Sequence, residues 1–89
     1  MEIKACASAG TMESSDAYVE IKPCDDGIKI DLESVVEKQF GEKIKQAVND
    51  VLAEIGIKNA DIRIVDRGAL ECVIRARVET AVLRGMEEK

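Results

Sequence analysis

Apolar and polar residues alternate strictly in two stretches near the start of the chain. Ala17, Val19 and Ile21 interleave with Tyr18, Glu20 and Lys22, and Ile28, Ile30 and Leu32 with Lys29, Asp31 and Glu33. A period of two sends one row of side chains to a core and the other to water, which predicts antiparallel strands with one wet face. Between them Pro23-Cys24-Asp25-Asp26-Gly27 carries turn chemistry, and its Asp-Gly pair predicts a hairpin. Residues 4–13 show no clear period; Thr11 to Glu13 is a candidate partner for the 17–22 strand across Ser14-Ser15-Asp16.

After Ser34 the period changes. Val36, Phe40, Ile44, Val48, Val51 and Ile55 recur at steps of three or four, with Glu37, Lys38, Glu42, Lys43, Lys45, Asp50 and Glu54 on the remaining arc. That is an amphipathic helix with its stripe toward a core. Ser34-Val35-Val36-Glu37 reads as a capping box at its start, and Gly56 before apolar Ile57 as a left-handed cap at its end. Gly41, costly in mid-helix by about 1 kcal/mol, predicts close packing or a contact there.

Asp61 to Asp66 reads as a further strand. Residues 69–86 fit two patterns: Leu70, Cys72, Ile74, Ala76 and Val78 alternate, while Leu70, Val73, Ile74, Val78, Ala81 and Val82 form a helical stripe with Glu71, Arg75 and Glu79 spaced for ion pairs. The length exceeds that of ordinary strands and predicts a helix. The order β-β-β-α-β-α predicts an α+β two-layer sandwich, a mostly antiparallel sheet with two helices on one face. With 89 residues, positions 1–89 form one domain, too small for a deep substrate cleft.

Composition narrows the function. A net charge of −5, with bases interleaved among acids, argues against nucleic-acid binding. One Phe, one Tyr and no Trp leave little for base stacking. No apolar run suits a membrane span or a signal peptide, so a cytoplasmic protein is expected. Cys6, Cys24 and Cys72 make an odd set without a C-x-x-C pair and are expected to be reduced thiols, Cys72 in the core. The absence of histidine removes Ser-His and Cys-His schemes and the commonest metal ligand, so no catalytic or metal-binding residue is assigned.

The segment Ala9-Gly10-Thr11-Met12-Glu13-Ser14-Ser15-Asp16 concentrates small, hydroxyl and acidic residues. It lacks the G-x-S-x-G of a nucleophile elbow and the Gly-Lys-Ser/Thr of a phosphate loop. By composition it is a Ser/Asp turn, with Ser14 and Ser15 equivalent and Asp16 either capping the turn or orienting the site. Arg75, Arg77 and Arg84 are candidates for phosphate or acidic partners, or for an ordinary salt-bridged helix face.

These residues also carry a resemblance. Residues 9–16, Gln39-Phe40-Gly41, Asp66-Arg67-Gly68-Ala69-Leu70-Glu71-Cys72 and Ala76-Arg77-Val78-Glu79 resemble the acyl carrier protein (gamma subunit) of citrate lyase over nearly the whole chain. Arg67, Glu71 and Gly85 stand where that family often has Lys, Asp and Ala. The resemblance implies that Ser14 holds a covalent 2'-(5''-phosphoribosyl)-3'-dephospho-CoA cofactor through a phosphodiester. Its thiol would carry acetyl or citryl between an alpha (transferase) and a beta (lyase) subunit, after attachment by a prosthetic-group transferase. This chain would then be a carrier and not an enzyme. A carrier of citramalate lyase or malonate decarboxylase, or an unmodified interaction module, are the alternatives.

Overall fold

The computed structural model describes residues 2–35 and 37–87, with the backbone alone for Glu37 and Lys38. Its elements are β1 (Ala7–Gly10), β2 (Ala17–Lys22), β3 (Ile28–Ser34), α1 (Glu37–Ile55), β4 (Ala60–Asp66) and α2 (Glu71–Met86). The expected α+β layering holds: one mixed four-stranded sheet, with α2 packed on β1 and β2 and α1 on β3.

The strand order is β1-β2-β4-β3, with β1/β2 and β2/β4 antiparallel and β3/β4 parallel. This corrects the hairpin expected across Pro23–Gly27, because β4 lies between β2 and β3. The crossover through α1 returns β4 beside β3, as parallel neighbours require. The apolar rows then match across β4, with Val19 opposite Ile64 opposite Leu32 and Ile21 opposite Ile62 opposite Ile30. The Asp-Gly turn is real but bonds elsewhere. The Gly27 amide donates to Asn59 Oδ1 at 2.9 Å and its carbonyl accepts from the Ala60 amide at 3.0 Å. The strand before the serines also differs from expectation: Ala7–Gly10 pairs with β2, and Thr11 to Glu13 lies in the loop.

Both alternating segments keep the predicted faces. Ala17, Val19 and Ile21 are fully buried, and the core continues through Ile62, Ile64, Ile44, Val48, Leu52, Val78 and Val82. Each fully buried Val, Leu or Ile contributes about 1.5–3 kcal/mol. On the wet face Arg63 lies between Glu20 and Asp31 in register, and Asp61 between Lys22 and Lys29, so opposite charges are neighbours.

Helix α1 ends as expected. Gly56 has φ 90°, its amide donates to the Ala53 carbonyl at 3.2 Å, and the Ile57 amide reaches back to Leu52 at 2.9 Å. That is a Schellman cap with buried Ile57 as its apolar contact. The stripe holds at Ile44, Val48 and Val51, Gly41 is buried, and Phe40 departs from it by being 45% exposed. Of the capping box, Ser34 instead ends β3 and donates to Asp66 at 2.8 Å; residue 36 and the side chain of Glu37 lie outside the described residues. Residues 71–86 are helical, burying Ile74, Val78, Ala81, Val82 and Gly85. Arg75 bonds Glu54 of α1 at 3.1 Å, tying the two helices together. Cys72 is exposed, not in the core, because it falls on the far side of that stripe.

Candidate functional site

Ala17 and Ser34 are both in register with Asp66, so the loop before β2 and the chain leaving β3 and β4 emerge at one end of the sheet. Residues 11–16 form the β1–β2 connection there. The Asp16 amide donates to the Glu13 carbonyl at 3.2 Å, closing a turn with Ser14 and Ser15 at its corners. Ser15 takes φ 66°, the left-handed geometry that a type II turn requires at its third residue and that glycine usually fills. Its amide donates to the Arg67 carbonyl at 2.8 Å, and the Arg67 amide returns a bond to the Asp16 carbonyl at 3.0 Å. The turn is thereby fastened to the segment leaving β4. Ser14 sits at its outer corner, exposed, its hydroxyl without a hydrogen-bond partner among the described residues.

Asp16 anchors the loop from below. Arg77 of α2 donates through Nε to Oδ1 and through Nη2 to Oδ2, both at 3.0 Å, a bidentate fork. The Thr11 hydroxyl donates to Oδ2 at 2.7 Å and the Ala17 amide to Oδ1 at 2.7 Å. The Arg77 fork first, then Thr11 and the Ala17 amide, lower the Asp16 pKa from 3.8 to about 2. A carboxylate so saturated is a poor proton acceptor near neutrality; its bonds to Thr11 and Ala17 close the loop on itself, and the fork ties the loop to α2. Gly10 makes the approach feasible. With φ 92° it leaves room for the Ala17 carbonyl where a Cβ would stand, and that Cβ would also lie 3.1 Å from Arg77 Cδ.

Asp66 fixes the neighbouring turn. It is 1% exposed, and Oδ2 accepts from the Ser34 hydroxyl at 2.8 Å. Oδ1 accepts from the Gly68 and Ala69 amides at 3.1 and 2.9 Å. A buried carboxylate is tolerated because its bonds are made. The Asp-x-Gly order of residues 66–68 was the legible signal for this turn. Between α1 and the start of α2 this turn borders a cleft of about 220 Å³, walled by Phe40, Ile44, Ala47, Ala69, Leu70 and Ile74, with Lys43 at its rim. Met12, Val35, Phe40 and Leu70, four of the five exposed large apolar residues described, flank the serine turn, the Asp66 turn or the start of α1 at this end.

Of the three arginines considered for phosphate, Arg77 is committed to Asp16, and Arg75 to Glu54 and Asp50. Arg84 donates to the Ser8 carbonyl at 2.9 Å. Each has a protein partner, which places them with the salt-bridged face. No helix among the described residues is long and apolar enough to cross a membrane.

A family model described as Malonate decarboxylase delta subunit (MdcD) matches residues 4–85. The citrate lyase acyl carrier protein of Halothermothrix orenii is 53% identical, over 99% of this chain and 97% of its own. That of Escherichia fergusonii is 52% identical over 99% and 92%, and that of Lactococcus lactis subsp. lactis 52% identical over 100% and 93%. In three dimensions the chain is similar to one chain of a Pseudomonas malonate decarboxylase hetero-tetramer crystallised in complex with malonate. The TM-score is 0.81 at 21% identity, over 94% of this chain and 87% of that one, a likeness of fold.

Proposed function

The chain belongs to the malonate decarboxylase delta subunit family and, at about half identity over nearly its whole length, to the citrate lyase acyl carrier proteins, and from that premise we propose that Ser14 is the residue to which the carried group is attached. The observation that supports this is the Ser14 corner itself: an exposed hydroxyl, without a bond to any of the described residues, on a turn whose backbone is fastened on both sides.

The chemistry asks little of this chain. In attachment the Ser14 oxygen forms the ester bond to phosphorus. Its proton passes to a base of the attaching enzyme, and the donor's leaving group departs from the same phosphorus. This chain has no histidine to act as that base, and the fork on Asp16 leaves its carboxylate unsuited to the part. Its own contribution is presentation: Asp16, Thr11 and Arg77 hold the corner outward in one geometry, lowering the ordering cost of each encounter.

When bound, a phosphoribosyl-dephospho-CoA arm supplies a thiol able to hold acetyl or citryl as a thioester. The reading is of a non-catalytic subunit serving a citrate lyase transferase subunit and lyase subunit. Tethering sets the local concentration on the order of mM for short flexible linkers, in place of diffusion. The three free cysteines suit a reducing cytoplasm. A malonate decarboxylase carrier is the second reading, favoured by the family model and the fold neighbour; relatives at 52–53% identity weigh toward citrate lyase against a neighbour at 21%.

The test is intact mass after co-expression with the attaching enzymes. The wild-type chain is expected to gain one nucleotide-arm increment, Ser15→Ala to keep it, and Ser14→Ala to lose it. A Ser14→Ala chain that is still labelled overturns the assignment.

A further inference from the structure

The cleft between α1 and α2 serves no purpose in the attachment chemistry, yet it opens at the end that carries Ser14. Leu70 is 71% exposed and Phe40 45% exposed at its mouth, while Ile44 and Ile74 close its floor. Exposed apolar surface of this kind marks something that binds. On the reading that Ser14 is the attachment point, we infer that this cleft seats the apolar, thiol-bearing end of the attached arm between its visits to catalytic subunits.

Three observations select that occupant. The first is continuity. Two backbone bonds join the Ser14 turn to Arg67, and the chain runs from there directly into Ala69 and Leu70 of the cleft wall. Consecutive Cα atoms are about 3.8 Å apart, so Leu70 lies no more than about 11 Å beyond Arg67, a distance that a long flexible arm spans. The second is size. At about 220 Å³ the cleft is smaller than pockets enclosing whole ligands, which run about 300–1,000 Å³. It takes the end of a chain and leaves a nucleotide outside. The third is chemistry. The walls are aliphatic and aromatic, and the Asp66 carboxylate on the lining is already saturated by Ser34, Gly68 and Ala69. A geminal-dimethyl, amide-linked alkyl chain ending in a thioester suits such walls, and anionic phosphates do not. Of the charged lining residues, Lys43 stands against Glu71 and Asp66, so the cleft offers phosphates no net positive charge.

A tethered chain is also the one occupant that is always present, at high local concentration, whereas partner subunits come and go. Seating would keep water from the thioester, which is reactive when exposed.

The experiment compares amide and methyl NMR spectra of the unmodified and arm-bearing chain, both first checked by mass for the increment on Ser14. If that increment is missing or lies elsewhere, the attachment reading fails and the cleft is not yet in question. With the increment on Ser14, the cleft assignment predicts shift changes at Phe40, Ala69 and Leu70 and through-space contacts between arm methyl protons and the Ile44 and Ile74 methyls. Leu70→Glu, at an exposed position, keeps the fold and the increment and loses those contacts. Shifts confined to residues 11–17 and Arg67 overturn the assignment. So does a cleft that responds only when catalytic subunits are added, which would give it to a partner chain.

Discussion

The serine end and the opposite end of the sheet are closed by loops of similar make-up that are held in different ways. At the far end Pro23–Gly27 is acidic, largely exposed and anchored by Gly27 bonds to Asn59 and Ala60 and by an Asp26–Lys29 pair at 3.9 Å, both members more than half exposed. At the near end residues 11–16 are anchored by a bidentate Arg77 fork, a threonine hydroxyl and two amide–carbonyl bonds to Arg67. The left-handed residue is glycine at the far end, φ 88°, and serine at the near end, φ 66°. Left-handed geometry costs a non-glycine residue roughly 1–2 kcal/mol. A surrounding structure that over-determines it, as here, marks a place where geometry matters for more than closing a chain.

Glycine substitutions break this comparison most sharply. Gly10→Ala puts a Cβ onto the Ala17 carbonyl at a positive φ, and about 3 kcal/mol of stability is expected to go. For a domain this size that lowers Tm on the order of 10–20 °C. Gly27→Ala meets no atom within 4 Å and bears only the backbone term, about 1 kcal/mol or roughly 5 °C. Equal losses by calorimetry would remove the claim that the serine loop is the tightly built one.

The next effect is smaller in stability and larger in function. Arg77→Met frees Asp16, and the attaching enzyme is expected to show a raised KM with little change in kcat; Arg77→Lys recovers part of it, since an ammonium cannot form the fork. The same pair gives the loops different acid responses. Because folding lowers the Asp16 pKa from 3.8 to about 2, its ionised form is favoured in the folded chain. Its stabilisation is complete above the ordinary value and is lost as pH falls through about 2. Protection of the Ala17 amide, measured against its intrinsic exchange rate, should therefore fall between pH 4 and pH 2, and Arg77→Met should remove that response.

The smallest effect belongs to the far loop. Lys29→Met breaks a surface pair and is expected to change stability by no more than about 0.5 kcal/mol in denaturant titration. A loss as large as that of Gly10→Ala would mean that the far loop is no mere surface closure.

What the sequence disclosed was what is local. Period-two alternation marked the faces of β2 and β3, and Gly56-Ile57 marked a left-handed cap, because both signals are complete within a few residues. Strand order was hidden, since Asp25-Asp26-Gly27 encodes a turn and not the strand it returns to. Residues 70–78 satisfied two periods at once, and only packing against the sheet selected the helix. At the site, the E-S-S-D stretch was readable as a turn, while the Asp16–Arg77 fork joins residues 61 positions apart and left no local trace. Phe40 and Leu70 fitted a core stripe by spacing, and their exposure shows that an apolar residue at the right interval can still belong to a surface cleft.

Which oxygen bears the arm decides the assignment, and fragmentation of the unmutated protein reads that directly. Trypsin, which does not cut the Lys22–Pro23 bond, releases residues 5–29, which hold both Ser14 and Ser15. Fragment ions are predicted to place the whole nucleotide-arm increment on Ser14, with Ser15 unmodified. An increment on Ser15, or a peptide from enzyme-competent cells that carries none, contradicts it.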